Sequence, residues 1–434
     1  MKSKSIQLIL CLASVTLAIA SVVHQTVQGG SMSSATEAPA GFETPLLSHN
    51  PGSESVSNGL PEPPKDTFAL DQANFEAREG NDSGLGPVYN ATSCADCHQN
   101  PVTGGPSQMT EIRAGHLDAK GNFVNPTIPI NDGQNTITGR SIVNDRAICP
   151  QAQEHLPHSE NIRALRAALN LLGDGFVEAV DDQTLLNIAE RQPVLTNDQI
   201  HGEPVMVTIL EGPPGTMRVG RFGWKDQHGS LLSFAADAYS NEIGITNRLR
   251  PTDATTVCKT TTDPEDQPDQ TGLFGIDHFA QFIRGTLVPP RDPNLVGTTD
   301  VREGERLFTE IQCSVCHVDS MTTVPAGTVL NGGTYTVSDA IGSKIIHPYS
   351  DFLLHDIGTG DGIVQGGPQD TQHKLRTQVL WGVRTKTRFM HDLRSESLGN
   401  AILRHGAEAA GSVGQFRGLT EKERNQIFAF LNSL

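Results

Sequence analysis

Past its N-terminus the sequence has no apolar run long enough to cross a bilayer. It is also short of positive charge: 32 Lys and Arg stand against 49 Asp and Glu, for a net charge of −17. The first absence leaves no membrane span in the body of the chain. The second argues against nucleic acid and against an anionic membrane surface, and suits a protein whose partner presents a basic face. Tryptophan is limited to Trp224 and Trp381, and cysteine to seven positions.

What is present at the N-terminus reads as an export signal. Lys2 and Lys4 precede a mostly apolar run from Ile6 to Val23, and Ala18, Ala20 and Ser21 offer small residues for cleavage. Residues 1–30 are therefore expected to be a signal peptide, and the periplasm is the expected compartment. Cys11 follows Leu10, where a lipoprotein signal wants a small residue. An uncleaved N-terminal anchor is the alternative.

Four of the cysteines fall into two copies of one pattern, CADCH at Cys94–His98 and CSVCH at Cys313–His317. C-x-x-C-H is the spacing of covalent haem c attachment: two thiols add across the vinyl groups and the adjoining histidine ligates the iron. A zinc site wants four closely arranged ligands, and a redox C-x-x-C needs no histidine directly after it. Two covalently bound haem c groups are expected, held by Cys94, Cys97, Cys313 and Cys316, with His98 and His317 as iron ligands. With Cys11 removed, Cys149 and Cys258 remain, and an oxidising compartment favours their pairing; two buried free thiols are the alternative.

Roughly 400 mature residues exceed one core, and the motifs lie too far apart for one small cytochrome fold. The expected organisation is a flexible leader at 31–66, rich in Ser, Pro, Gly and Glu, an N-terminal domain at 67–299 and a C-terminal domain at 300–434. Gly, Pro, Asn and Thr dominate from the first motif to Arg140, which predicts loops wrapping a haem. Ile162, Leu165, Leu169 and Leu172 at helical spacing predict a helix ending at Gly173. Val301, Leu307, Phe308 and Ile311 predict a helix leading into the second motif. Thr420 and Glu423 form a capping box before a last helix with Ile427, Phe430 and Leu431 on one face. The fold class expected is mainly α, two cytochrome c-like domains each with a covalent haem, the N-terminal one enlarged by loop-rich insertions.

The stretches LGPVYNATSCADCH, RVGRFGWK, HPYSDFLLHDIGTG and LRTQVLWGVRTKTRFMHDLRSESLGNAILRHGAEA resemble the bacterial di-haem oxidoreductases, relatives of the di-haem cytochrome c peroxidases and the methylamine-utilisation enzymes. The resemblance runs from about Phe68 to Leu434. It implies two facing cytochrome c domains, one haem relaying electrons and the other reacting with an oxidant. Leu398, Ile402 and His405 share one helix face. In the peroxidases the relay haem takes a distal Met at the offset from His391 where this chain has His405. A His317/His405 pair on the C-terminal iron follows, with a lower potential than a His/Met site. A packing role is the alternative reading of His405.

His355 and His391 both precede Asp, and a carboxylate beside an imidazole orients it and raises its basicity. His391 matches the family's His-Asp position, with Leu393 where glycine is usual. His355 is the leading candidate beside the N-terminal haem, as distal ligand or proton donor; His116 competes for that place, and His347 and His373 are weaker candidates. By resemblance Arg376 faces a haem propionate, an exposed Arg being the alternative, and Trp224 lies between the haems and carries electrons. The peroxidases place a Gln and a Glu after that tryptophan where this chain has Phe234 and Gly244. Glu242 and Asp237 are the candidates to replace them.

The expected function is reduction of hydrogen peroxide with electrons from a small cytochrome c or cupredoxin. The rivals are haem-based oxidation of a protein or organic substrate, and a pure electron carrier with both irons six-coordinate. Calcium bridges the domains in related peroxidases; no residue pattern in the sequence supports it here.

Overall fold

Two helices at the ends of the C-terminal segment set the frame that holds the second motif. The computed structural model describes residues 34–42 and 68–434. Its helices are α1 (Phe68–Glu76), α2 (Asp174–Glu178), α3 (Asp182–Leu195), α4 (Leu231–Ala238), α5 (Gly275–Gly285), α6 (Thr299–Glu310), α7 (Leu398–Leu403), α8 (Ala410–Gly418) and α9 (Glu421–Ser433). Helix α6 starts where the Thr298 side chain accepts from the Val301 amide, with Asp300 in the first turn, and buries Val301, Gly304, Leu307 and Phe308. Helix α9 starts on the reciprocal Thr420/Glu423 capping box read from the sequence and buries Ile427, Phe430 and Leu431. The two cross at Gly304, where a Cβ would stand 1.9 Å from the Gln426 carbonyl oxygen. Only glycine allows that approach. It brings the Phe308 and Phe430 rings to 5.3 Å and aims the C-terminal end of α6 at Cys313.

The mainly α expectation is corrected: helix accounts for 31% of the chain and strand for 16%, the strands forming many small sheets. The largest correction falls on the helix expected at 162–172. Ile162–Ala167 is a strand, paired antiparallel with Thr110–Leu117 from Thr110↔Ala167 to Gly115↔Ile162. Strand alternation buries Ala164 and Arg166 and turns Leu165 outward, 39% exposed. Thr110–Leu117 itself lies in the stretch expected to be loops. It centres a four-stranded sheet with Phe123–Val124, Ile142–Val143 and Ile162–Ala167. Backbone pairing, invisible in the apolar spacing, decides both segments.

The larger core packs α1, α4 and α5 with residues from both sides of residue 300, among them Phe75, Phe279, Phe282, Tyr335, Phe352 and Trp381. The smaller core belongs to α6, α8 and α9. Cys149 and Cys258 form the expected disulfide. The leader expected at 31–66 is docked in part: Thr36–Glu37 pairs in parallel with Lys344–Ile345, and Ala40 bridges to Val288. Main-chain hydrogen bonds, which composition does not signal, hold it there. The expected signal peptide at 1–30 lies outside the described residues, as does 43–66.

Gly304→Ala should cost about 1–3 kcal/mol or more through overpacking at the α6/α9 crossing, read as a lowered melting temperature. Gly414→Ala in α8, where a Cβ meets open space, should leave the temperature unchanged or slightly raised. Equal effects would mean that the crossing is not close.

Candidate functional site

Past α6 the chain makes one tight turn, Cys313–Val315, entered through Gln312 at φ 66°, and the His317 amide donates back to the Cys313 carbonyl at 3.0 Å. His317 Nδ1 lies 2.9 Å from the Tyr349 carbonyl oxygen. A carbonyl only accepts, so Nδ1 carries the hydrogen and Nε2 keeps its lone pair. Burial pushes the His317 pKa down to about 4, so the imidazole is neutral. His317, Cys313 and Cys316 line a cavity of about 500 Å³.

His405 lines the same cavity. Helix α7 ends at Leu403, so His405 follows the helix instead of sitting within it. Its Nδ1 donates to the Ala401 carbonyl at 2.8 Å, and burial lowers its pKa. Arg404, paired with Asp392 at 2.7 Å, pins the chain there. The cavity thus holds two neutral imidazoles, each with its Nδ1 hydrogen fixed on a backbone carbonyl.

The first motif repeats half of this arrangement. The Ser93 side chain caps the turn at Cys94–Asp96, and His98 Nδ1 donates to the Leu169 carbonyl at 2.8 Å. Burial pushes His98 down to about 4. Burial also pushes Cys94, Cys97 and Cys313 up to about 12 and raises Cys316, so the four thiols are neutral. Among the described residues no group of three potential metal ligands includes Cys94, Cys97 or His98, whereas Cys316 falls in one with Asp351 and His355. A second cavity, of about 260 Å³, is lined by Cys97 with Arg78, Asn90, Asp96, Met109 and Arg146.

His355 is not beside the first motif, as expected, but beside the second, its Nδ1 3.8 Å from Cys316 Sγ. Nε2 meets Asp351 at 2.8 Å and Nδ1 meets Glu408 at 2.9 Å. With a carboxylate on each nitrogen the ring holds both protons and has no lone pair for a metal. Burial opposes that charge, but the Asp351 carboxylate hydrogen-bonded to the ring helps hold the pKa well above the usual range. His116 lines neither cavity; it is partly exposed and paired with Glu160 at 2.7 Å. His391 lines the large cavity, buried, with Nδ1 lacking a hydrogen-bond partner. The carboxylate expected to orient it, Asp392, is taken by Arg404.

Trp224 also lines the large cavity, edge-on to His391 at 6.0 Å. Its Nε1 donates to the Ala167 carbonyl at 2.9 Å, two residues from the Leu169 carbonyl that orients His98. Trp381 is buried in the larger core. Arg376 is buried against the cavity and donates to the carbonyls of Gly223 at 2.8 Å and Arg221 at 2.9 Å. Lys386, which the sequence reading missed, lines the cavity near Arg376; burial and that guanidinium push it down to about 8.

Glu242 is brought to the first motif by two crossing glycines. A Cβ on Gly86 would stand 2.2 Å from the Gly244 carbonyl oxygen, and the Asn90 amide donates to the Glu242 carbonyl at 2.7 Å. Asn90 Nδ2 donates to Glu242 Oε2 at 2.8 Å, and Glu242 acts electrostatically on Cys97. Burial and Glu111 raise the Glu242 pKa well above the carboxylate range. Glu111 was missed because its strand read as loop. Asp237 is engaged by His228 and Arg250. The carboxylates Asp253, Asp263 and Glu265 enclose the Lys259 ammonium, which offsets part of their charge.

Neutral thiols, backbone-oriented imidazoles and an apolar cavity between His317 and His405 are a donor set that fits haem. The family model described as "Di-haem oxidoreductase, putative peroxidase" matches residues 149–434. No curated protein sequence matches. Among solved structures, hydrazine synthase of Kuenenia stuttgartiensis is similar at 13% identity and a TM-score of 0.40, covering 97% of this chain and 100% of its own. A MauG-like protein associated with microbial copper homeostasis is similar at 14% identity and a TM-score of 0.40, covering 93% and 94%. Likeness at that level carries no argument about the site. The family match begins after the first motif, but it takes in well over half of the sequence, including the second motif, His405, Trp224, Glu242 and Arg376, and the chain belongs to the di-haem oxidoreductases.

Proposed function

We propose that this protein is an exported, periplasmic enzyme with two covalently attached c-type haems that reduces hydrogen peroxide with electrons from a small cytochrome or cupredoxin. The observation that carries the reading is the asymmetry of the two motifs. At the second, His317 and His405 present two lone pairs to one cavity, the arrangement of a six-coordinate relay. At the first, Cys97 lines a separate cavity whose described lining holds no histidine, and the acid that acts on Cys97 is Glu242. Export is supported by the N-terminal charge and apolar pattern and by the Cys149–Cys258 disulfide. Among the described residues no helix is long and apolar enough to cross a membrane.

The bound haems would supply electrons and the iron at which the peroxide O–O bond breaks. The chain's own contributions are separate. His98 and His317 hold the irons, and the carbonyls of Leu169 and Tyr349 fix their tautomers. Arg376 and Lys386 place positive charge where propionates need it in a poorly solvated pocket. Glu242, protonated, holds a proton beside the first motif for the leaving oxygen; the reaction consumes two protons and two electrons per peroxide and yields two waters. Trp224, bonded to Ala167, stands between the residues that orient the first motif's histidine and the large cavity.

Met109, lining the cavity with Cys97, favours one rival: its thioether as a sixth ligand would make both irons six-coordinate and the protein an electron carrier. Steady-state peroxide consumption by the reduced protein separates the two readings, because a carrier shows none.

Pyridine haemochrome analysis should give two haems per chain that survive acid-acetone extraction, and Cys94→Ala and Cys313→Ala should each impair attachment of one. A single haem would sink the proposal. Glu242→Gln should lower kcat/KM for peroxide by about 10²–10⁴-fold, the usual weight of a positioned acid, with both haems retained.

His405→Gly should convert the C-terminal haem from low to high spin in electron paramagnetic resonance and leave the other haem's signal unchanged. His405→Met should keep it low spin and raise its potential, since thioether sulfur favours the ferrous state over imidazole. An unchanged spectrum in His405→Gly would pass the ligand role to His391.

A further inference from the structure

Glu111 and Arg113 project from the same side of the strand Thr110–Leu117, being two residues apart. Arg113 grips the Glu111 carboxylate with two hydrogens, Nε at 2.6 Å and Nη2 at 2.8 Å, and the same Nη2 lies 3.8 Å from Glu242 Oε1. One guanidinium nitrogen thus reaches both carboxyls; two ionised carboxylates so placed repel, and a proton on one of them relieves that repulsion.

Counting the charges that face the pair gives the same answer. From the strand come Glu111 and Arg113. From α4 comes Asp237, held by His228 and Arg250. Arg140 is bound to buried Glu154, and Arg166 to Asp361. Arg146 lines the cavity with Cys97 and makes its ion pair with Asp145. That leaves one guanidinium, Arg113, for two carboxyls, and like charges this close do not both ionise. Arg113 is committed to Glu111, so the proton belongs on Glu242. Consistently, Arg113 holds Glu111 low against its burial, while burial and Glu111 raise Glu242.

We propose that Glu111 and Glu242 form a carboxyl pair sharing one proton beside the first motif, with Glu111 the positioning residue that keeps Glu242 protonated and returns it to that state after each proton is given up. This rests on the peroxide-reducing reading for its use, though not for its existence. When Glu242 gives its proton to a leaving oxygen, two carboxylates face one guanidinium. That repulsion draws a proton back from solvent. Two such cycles supply the two protons that join two electrons from the donor protein in turning one peroxide into two waters.

The test is infrared titration of the holoprotein, following the carboxylic acid C=O stretch, with the peroxide rate against pH measured in parallel. A protonated carboxyl band should persist at neutral pH and vanish in Glu242→Gln. Because the acid form is the active one, the rate should fall as pH rises through the band's midpoint. Glu111→Gln, which removes the facing negative charge, should lower that midpoint and the alkaline limb of the rate together by about one pH unit or more. Glu111→Asp, which keeps the charge, should shift both less and guards against a folding defect. Absence of a Glu242-dependent acid band at neutral pH, or a midpoint unmoved in Glu111→Gln, overturns the proposal. A band that behaves as described in a protein without peroxide turnover upholds the pair and overturns the peroxide reading alone.

Discussion

The site depends on three hydrogen bonds from imidazole to backbone: His98 to Leu169, His317 to Tyr349 and His405 to Ala401. Each places the ring hydrogen on Nδ1 and so leaves Nε2 as the only lone pair. A main-chain carbonyl cannot titrate or rotate away as a side chain can. The tautomer is therefore set by the fold, and everything that fixes those three carbonyls, including the α6/α9 crossing and the strand that ends at Ala167, sets where the three lone pairs point. His355 shows the contrast. With a carboxylate on each nitrogen it is charged, and its contribution beside Cys316 is electrostatic.

The features legible in the sequence were those set by local chemistry. Cys94–His98 and Cys313–His317 stand as motifs, Thr420 and Glu423 cap as the spacing says, and Val301, Leu307 and Phe308 line one helix face. His405 reached its cavity although α7 stops short of it, because a turn at Arg404 keeps the ring on the same side. What was not legible depends on distant partners. Leu165 and Leu169 have helical spacing, yet a strand forms because Thr110–Leu117 offers a complete ladder. Glu111 carried no signal until that strand was known. His355 was assigned to the wrong motif because its HD neighbour said nothing about which cysteine lay alongside.

Buried charge explains why this small sheet sits where it does. Arg166, 1% exposed, donates to Asp361 at 2.8 Å, and the same carboxylate meets the ammonium of Lys225 at 3.0 Å. Lys225 gives its other hydrogens to carbonyls between Thr371 and Lys374. Arg166 and Lys225 are the chain neighbours of Ala167 and Trp224, whose hydrogen bond joins the sheet to the large cavity. One carboxylate thus clamps both sides of that bond. Such a cluster adds little net stability over apolar packing, but losing its central anion would strand two buried cations. Its effect is on position: with Asp361 in place, Trp224 cannot shift relative to Ala167, and Ala167 cannot shift relative to Leu169. The indole in the large cavity and the histidine of the first motif are therefore held in one register by a pair of ionic contacts and three residues of main chain.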